Sequence, residues 1–284
     1  MSPSDNEAVA GHAGSIPSGQ HYGDRDTMPN SVSGSLEVNP FVGEGGAYDS
    51  VRPAYPHEAV AALIDAARSG RGVNAPGRDG PLRAADIGAG TGKMSELLAR
   101  GGLLVDAVEP SSAMRAQASP IEGVTWHDGV AEETGLPNGV YDIVVFAQSW
   151  HWMDPERAGL EAARILAPGG VLAIVWNQMA VSIPWVHRLT RIMRSGDVHR
   201  PDRPPTPGGG FAPMTLTQVA WEDRMTPEEI LTLGTTRSSY IRSSEAGRAR
   251  MQANLRWYLY EHLGYAPGET VTIPYTTLVW LTRL

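Results

Sequence analysis

Two kinds of hydrophobic pattern alternate along the middle of the chain, over residues 82–176. Short runs of consecutive apolar residues are typical of strands covered on both faces, whereas apolar positions three or four residues apart are typical of amphipathic helices. Strands and helices that alternate in this way predict a doubly wound α/β fold with a parallel sheet and right-handed crossovers. The predicted strands are 82–87, 103–109, 122–127, 140–147 and 170–176, and the predicted helices are 91–101, 111–118 and 155–167.

The flanking regions have different patterns. Residues 1–40 are rich in Ser, Gly, Pro and Asn and show no hydrophobic period, which predicts a disordered tail. The stretch 200–213 is rich in proline and glycine and predicts a long loop, which is either a wall of a binding site or a solvated linker. The other predicted elements are helix 56–68, helix 183–195, strand 216–222, a helix that begins after Thr226, helix 244–263 and strand 270–280.

Composition narrows the range of functions. The chain has 284 residues, a formal net charge of −8 and no cysteine, so disulfides, thiolate metal sites and cysteine nucleophiles are excluded. The negative charge argues against nucleic acid as a general partner but is compatible with a local basic pocket for an acidic small molecule. No segment has the roughly 18 apolar residues of a membrane span, and the N-terminus lacks a secretory pattern. We therefore expect a cytoplasmic protein, and its oligomeric state is left open.

The turn after the first predicted strand carries the most informative motif. Asp86 is the second-last residue of the strand, and Gly88, Gly90 and Gly92 alternate in the turn that leads into the next helix. Glycines at these positions allow a tight turn and let a ligand approach the backbone closely. Glu109 closes the following strand, where an acid is placed to accept hydrogen bonds from ribose hydroxyls. The two motifs together predict a cofactor that contains a nucleoside.

The spacing of the glycines bears on which cofactor binds. A dinucleotide fingerprint requires a third small residue, and Lys93 occupies that position here. The carboxylate of Asp86 would repel a pyrophosphate but suits a cofactor with an ammonium group. S-adenosylmethionine has an ammonium group, a sulfonium charge and a ribose diol. Asp86 would bind the ammonium directly, bind it through water, or only orient the glycine loop.

Further motifs follow the glycine loop in a fixed order. They are Val108–Ser111, Gly129–Pro137, Tyr141–Val145, Ala147–Asp154 and Leu166–Gly170. With the glycine loop, these segments resemble class I S-adenosylmethionine-dependent methyltransferases, in the small-molecule type 11 group that includes trans-aconitate-type enzymes. The resemblance covers most of residues 45–177. It implies a seven-stranded, mostly parallel sheet of Rossmann-like methyltransferase type.

The resemblance also implies which residues bind S-adenosylmethionine. The glycine loop would hold the methionine part, and Glu109 would bind the ribose. The adenine would lie against the segment from Asp128 to Glu132, where the backbone of Ala131 meets the ring edge. Family members often carry a polar residue at the position of Val130, so here Asp128 or a backbone carbonyl meets the adenine amino group, or that contact is missing. The implied cofactor residues are Tyr48, Arg52, Asp86, Gly88, Ala89, Gly90, Gly92, Glu109, Pro110, Asp128, Val130, Ala131, Glu132 and Gln148.

Several of these residues have a second interpretation. Tyr48 and Arg52 lie in the lead-in before the first helix, which in the family folds over the cofactor. They would reach the methionine carboxylate or an acidic substrate, or else Arg52 only fixes the turn before the helix. Gln148 would lie near the methyl-bearing sulfur or the ribose. His151, between two tryptophans, is a candidate proton acceptor for the incoming nucleophile, or it only lines the pocket.

The resemblance divides the chain into three predicted parts. These are the disordered tail 1–40, a cofactor-binding core 41–178, and a region 179–284 that binds the methyl acceptor and completes the sheet with its last strands. Arginines in the third part either clamp a carboxylate of the acceptor or form a solvated face. They are Arg188, Arg191, Arg237 and Arg242.

We therefore predict methyl transfer from S-adenosylmethionine to a small-molecule acceptor by in-line displacement. The alternatives are an NAD(P)-dependent oxidoreductase and a non-catalytic nucleoside-binding protein with the same fold. The histidines show no metal-ligand spacing, so no metal is expected, and neither nucleic acid nor a membrane is an expected partner. The identity of the acceptor and the atom methylated are left open.

Overall fold

Seven strands form one sheet in the computed structural model, which describes residues 51–71, 80–195 and 199–284. The strand order is β3-β2-β1-β4-β5-β7-β6, and only β7 runs antiparallel to its neighbours. The strands are β1 Arg83–Ile87, β2 Leu104–Val108, β3 Val124–His127, β4 Tyr141–Ala147, β5 Leu166–Met179, β6 Thr215–Met225 and β7 Val271–Thr282. The expected seven-stranded, mostly parallel Rossmann-like sheet is confirmed.

Helices connect the strands and cover both faces of the sheet. They are α1 His57–Arg71, α2 Lys93–Arg100, α3 Ser112–Arg115, α4 Pro155–Ile165, α5 Pro184–Met193, α6 Pro227–Thr235, α7 Ser238–Ile241 and α8 Glu245–Trp257. A short 3₁₀ turn spans Trp150–Trp152, and a π-helical turn spans Tyr258–His262. Local capping explains several starts, because Asp154 caps α4, Thr226 forms a capping box with Glu229 at α6, and Ser244 caps α8.

Some predicted boundaries were wrong. The helix predicted at 155–167 ends at Ile165, because the chain enters β5 directly at Leu166 and Gly169 takes a positive φ of 78°. The helix predicted at 111–118 is only Ser112–Arg115, and the long helix 244–263 changes from α to π geometry after Trp257. Strands β6 and β7 are longer than predicted, since they pair with each other along their whole length.

The hydrophobic core has three parts, which pack the helices against the sheet. On one face of the sheet α1 and α2 pack with Leu63 and Leu98, and on the other face α4 packs with Ile165 against Phe146. Helices α5, α6 and α8 form the third part around the far end of β5, with Leu255 fully buried. The carboxyl ends of the parallel strands are left for loops, which is where open α/β sheets bind ligands.

Part of the predicted organisation falls outside the described residues. The tail predicted at 1–40 and the lead-in residue Tyr48 lie there, as does most of the connector 69–81. Strands β6 and β7 share the sheet with β1–β5. The domain boundaries at residues 40 and 178 stay a prediction.

Candidate functional site at the carboxyl edge of the sheet

In the glycine loop, an added side chain would clash with neighbouring residues at the two outer glycines but not at the middle one. Gly88, Gly90 and Gly92 have φ values of 70°, 60° and 91°, in the left-handed region that favours glycine. A Cβ at Gly88 would lie 2.6 Å from the Cβ of Ser149, and one at Gly92 would lie 2.8 Å from the ring of Trp126. A Cβ at Gly90 would meet no atom of the described residues closer than 3.9 Å. Protein packing therefore accounts for the outer two glycines, whereas the backbone of Gly90 is not covered by any residue that the structure describes.

Asp86 is buried beneath this loop. Asp86 is 1% exposed, and its carboxyl oxygen Oδ2 accepts a hydrogen bond of 2.6 Å from the hydroxyl of Ser95 on α2. The other oxygen, Oδ1, has no hydrogen-bond partner among the residues of 51–71, 80–195 and 199–284. Burial raises the pKa of Asp86 to about 6, the Ser95 hydrogen bond opposes this rise, and the charge of Glu109 adds to it. The site thus contains a buried carboxyl group with an unused acceptor atom.

Glu109 connects the end of β2 to the glycine loop. The residue is 4% exposed, and its two oxygens accept hydrogen bonds from the amides of Gly90 at 3.0 Å and Ser111 at 2.8 Å. Each carboxylate oxygen has a further lone pair, so these bonds leave capacity for a ligand's hydroxyl groups. Glu109 therefore holds the backbone of the open position Gly90 and remains an acceptor.

The segment expected to meet the adenine lies beside β3. Ala131 is buried, whereas Val130 is 45% exposed. The side chain of Asp128 is largely exposed and pairs with Arg115 at 3.1 Å. Glu132 accepts a hydrogen bond from the amide of Asp154, so it anchors the start of α4. An exposed apolar residue next to a buried alanine offers an apolar surface to a flat ring.

Gln148 stands at the junction of β4 and β5 in a strained conformation. Its φ is 58°, which non-glycine residues rarely adopt and which costs on the order of 1–3 kcal/mol. Its amide donates to the carbonyl of Val175, and its side-chain Nε2 donates to the carbonyl of Asn177 at 2.7 Å. Asn177 in turn donates to Ala54 and accepts from Thr277. This network joins the two central strands to the segment before α1.

His151 faces a second histidine across the same edge. Its ring lies 6.0 Å from the ring of His199, which stacks on Trp176 at 3.9 Å with the planes 8° apart. The side-chain Nε2 of Gln178 donates a hydrogen bond of 2.9 Å to the backbone carbonyl of His199. Loss of surrounding water, and then the charges of His199 and Arg52, lower the pKa of His151 from 6.5 to about 4. His151 keeps an exposed face, and its lowered pKa keeps the imidazole neutral at mildly acidic pH as well as at pH 7.

The remaining candidates divide between structural and peripheral positions. Trp150 is buried and packs edge-on against Phe146, whereas Trp152 is 46% exposed. Arg52 donates to the carbonyl of Thr236 at 2.7 Å, and its own carbonyl accepts from Lys93 at 3.0 Å. Arg52 therefore bridges the glycine loop to the end of α6, and its charge also reaches His151. Ala89 and Pro110 lie in the two turns that close this edge.

Sequence reasoning missed several residues of the site. Ser95, Asn177, Gln178 and His199 were not singled out, although each contacts a predicted residue or strand end. A polar pair, Asn177-Gln178, directly after an apolar strand was the one available signal, because polar residues there lie at the carboxyl edge. His199 had no such signal.

Two features are absent from the described residues. No group of three His, Asp or Glu residues with metal-binding geometry occurs within the described parts of the chain. In those same parts, every helix is too short or too polar to cross a membrane.

Comparison with known proteins gives the family. A family profile described as "Methyltransferase domain" matches residues 85–174. An uncharacterized methyltransferase of Mycobacterium bovis is 37% identical over 238 residues, which are 82% of this chain and 90% of that protein, and one of Mycobacterium tuberculosis matches equally. A solved structure from Anaeromyxobacter dehalogenans, a candidate type II methyltransferase, shares the fold with a TM-score of 0.60 at 24% identity, over 82% of this chain and 97% of that one.

The chain therefore belongs to the methyltransferase family, and its fold and motifs are those of the class I S-adenosylmethionine-dependent members. Membership of the trans-aconitate-type subgroup stays a prediction.

Proposed function

We propose that the protein transfers a methyl group from S-adenosylmethionine to a small-molecule acceptor by in-line displacement, in the cytoplasm. The main support is that no described residue covers the backbone of Gly90, which lies in the loop near two buried carboxyl groups, Asp86 and Glu109. Such a cradle suits a ligand that is cationic at one end and carries hydroxyl groups at the other. The family of the chain makes methyl transfer the reaction to test first.

The residues present fit this cofactor. Asp86 has a buried oxygen that no described residue contacts by a hydrogen bond, and a cationic amino group or a water bound to it would satisfy this oxygen. Glu109 has spare lone pairs for ribose hydroxyls, and Ala131 and Val130 supply an apolar surface for a base. When bound, the cofactor supplies an electrophilic methyl group on a sulfonium.

On the acceptor side, the chain's residues position a nucleophile. Gln148 is held rigidly by two hydrogen bonds at the end of β4, so it orients whatever contacts it. The imidazole of His151 is placed to take a proton from a protic acceptor, but its lowered pKa makes it a weak base, whereas a carboxylate acceptor needs no such step. Positioning alone supplies much of the acceleration of a displacement reaction. His199 and Trp176 form a flat wall next to His151.

Calorimetric titration with S-adenosylmethionine and S-adenosylhomocysteine tests the cofactor. We expect binding by the full chain and at least tenfold weaker binding by Glu109→Ala, because that variant loses the ribose acceptor and the restraint on Gly90. Glu58→Ala removes an exposed acid at the start of α1 and is the matched control, with unchanged affinity. Absence of binding by the unaltered chain would overturn the proposal, and equal affinity of Glu109→Ala would overturn the role of Glu109.

The two alternative functions, an oxidoreductase and a non-catalytic nucleoside-binding protein, predict different experimental results. Binding of NAD⁺ or NADPH in place of S-adenosylmethionine would indicate an oxidoreductase. Incubation of a metabolite extract with methyl-labelled cofactor is expected to give a labelled small molecule, whose structure identifies the acceptor. Cofactor binding without any labelled product would favour a non-catalytic protein of this fold.

A further inference from the structure

A basic groove lies between α5 and the first turn of α8, apart from the glycine loop. Its volume is about 540 Å³, within the range of small-molecule sites. The groove is lined by His187, Arg188, Arg191, Arg194 and Arg250 among others, and its described lining residues include no Asp or Glu. We call this the arginine groove. The four arginines predicted to clamp a carboxylate do not all meet here: Arg188 and Arg191 line the groove, whereas Arg237 and Arg242 do not.

The arginine groove differs from ordinary solvated helix faces in its charge pattern. On α1 and α2, exposed arginines pair with acids one turn away, as Arg68 does with Asp65 and Arg100 does with Glu96. The guanidinium groups of Arg191 and Arg250 form no hydrogen bond or ion pair with any described residue. Unneutralised positive charges held together in a protein of net charge −8 create a local attraction for anions.

Two arginines of the groove have restrained positions, one through a strained backbone and the other through contacts with aromatic rings. Arg194 ends α5 with φ 49° and ψ 47°, a conformation for which glycine or asparagine is the usual choice. Arg188 lies over the rings of Trp257 at 5.4 Å and Tyr258 at 5.2 Å, so its guanidinium is preorganised. Strain and preorganisation at one surface point to a binding role.

The geometry points to a binding site for a small organic anion that carries two or more phosphate groups. Four guanidinium groups match several negative charges, and planar guanidinium forks suit phosphate oxygens. Gly247 brings the first turn of α8 into the lining, where the helix dipole adds to the positive potential. The apolar side chains of Ile192 and Met251 give the organic part a surface. This site is independent of the proposed methyl transfer.

Inorganic pyrophosphate is the probe for the test, titrated calorimetrically into the full chain at fixed ionic strength. The double variant Arg191→Ala/Arg250→Ala is expected to bind at least tenfold more weakly. Arg68→Ala/Arg100→Ala removes the same charge from exposed positions elsewhere and is expected to change affinity less than twofold. No binding by the unaltered chain, or equal losses in both double variants, would overturn the assignment.

A single variant separates binding from folding. Arg194→Gly suits the left-handed backbone, so its melting temperature is expected to rise while pyrophosphate binds several-fold more weakly. Unchanged affinity would contradict a role for Arg194. Glu109→Ala is expected to keep full pyrophosphate binding, so failure here is distinct from failure at the cofactor site.

Phosphate groups are also present on lipid headgroups, and vesicles distinguish the two sources. Co-sedimentation with vesicles of phosphatidic acid and phosphatidylcholine is not expected, because the site is a concave groove between two helices. Co-sedimentation that Arg191→Ala/Arg250→Ala abolishes would assign the groove to a membrane surface and overturn the proposal of a free anion.

Discussion

Replacement of Asp86 by asparagine is expected to stabilise the protein at pH 8 and to weaken its cofactor binding. The carboxyl group is 1% exposed, and its pKa is about 6 against an ordinary 3.8, mainly because of burial. At 1.36 kcal/mol for each pKa unit, keeping Asp86 ionised in the folded protein costs about 3 kcal/mol. Asparagine has nearly the same shape, carries no charge, and retains an oxygen that accepts the hydrogen bond from Ser95.

The pH dependence follows from the direction of the shift. Below pH 3.8 the carboxyl group is neutral in both the folded and the unfolded chain, so it contributes no penalty. Between pH 3.8 and about 6 the unfolded chain ionises first, and the folded state loses stability as pH rises. Above about pH 6 the full penalty is present. Asp86→Asn removes this pH dependence, so its advantage over the unaltered protein grows by about 3 kcal/mol from acid to neutral pH.

Urea unfolding at pH 4 and pH 8 measures this difference. Comparing each variant with the unaltered protein at the same pH cancels the titration of all other groups. Asp65→Asn is the matched control, since Asp65 is exposed and pairs only with Arg68, and its effect is expected to be small at both pH values. An Asp86→Asn protein with the same stability difference at pH 4 and pH 8, or with lower stability at pH 8, would refute the reasoning.

Other predictions concern the glycine loop and one ion pair. Gly88→Ala is expected to destabilise the protein markedly in thermal unfolding, because its Cβ would lie 2.6 Å from Ser149. At Gly90 the added Cβ meets no described atom closer than 3.9 Å, so Gly90→Ala is expected to cost only the roughly 1–2 kcal/mol of a left-handed backbone at φ 60° but to weaken cofactor binding in calorimetry, and the reverse ranking would contradict this. Glu161 accepts hydrogen bonds from Arg164 and Thr134, which lower its pKa to about 2 despite the opposing effect of burial. Glu161→Gln is therefore expected to lose on the order of 1–2 kcal/mol at pH 7, a difference that shrinks as pH falls from 4.5 towards 2; a loss independent of pH would exclude the ionic contribution.

The sequence predicted the fold and the glycine loop well because both depend on local signals. Continuous apolar strands and periodic helices predict a doubly wound sheet wherever they alternate. Positive φ values require glycine at Gly88, Gly90 and Gly92, so this backbone shape is visible in the residue types themselves. Asp86 and Glu109 were singled out because each lies at or next to the carboxyl end of a predicted strand.

Other parts of the site were not predictable, since they depend on contacts between distant segments. Gln178 meets His199 across 21 positions, Thr277 meets Asn177 across 100, and Arg52 meets Thr236 across 184. No periodic or spacing rule links such residues. The helix boundary at Ile165 was misplaced for a related reason, because pairing with β4 draws Leu166 into the strand.

The class of fold, the family and the backbone shape of the glycine loop were predicted from the sequence, because each is expressed in short-range patterns. That this loop binds the cofactor stays a prediction. The sequence did not indicate that Asp86 is buried with an oxygen that no described residue contacts by a hydrogen bond, or that His151 faces His199 and has a lowered pKa. The tertiary structure decided these features, and also that Arg188 and Arg191 line a groove with Arg250 instead of meeting Arg237. Burial, pKa and charge clustering depend on which segments pack together, and local sequence patterns do not specify that packing.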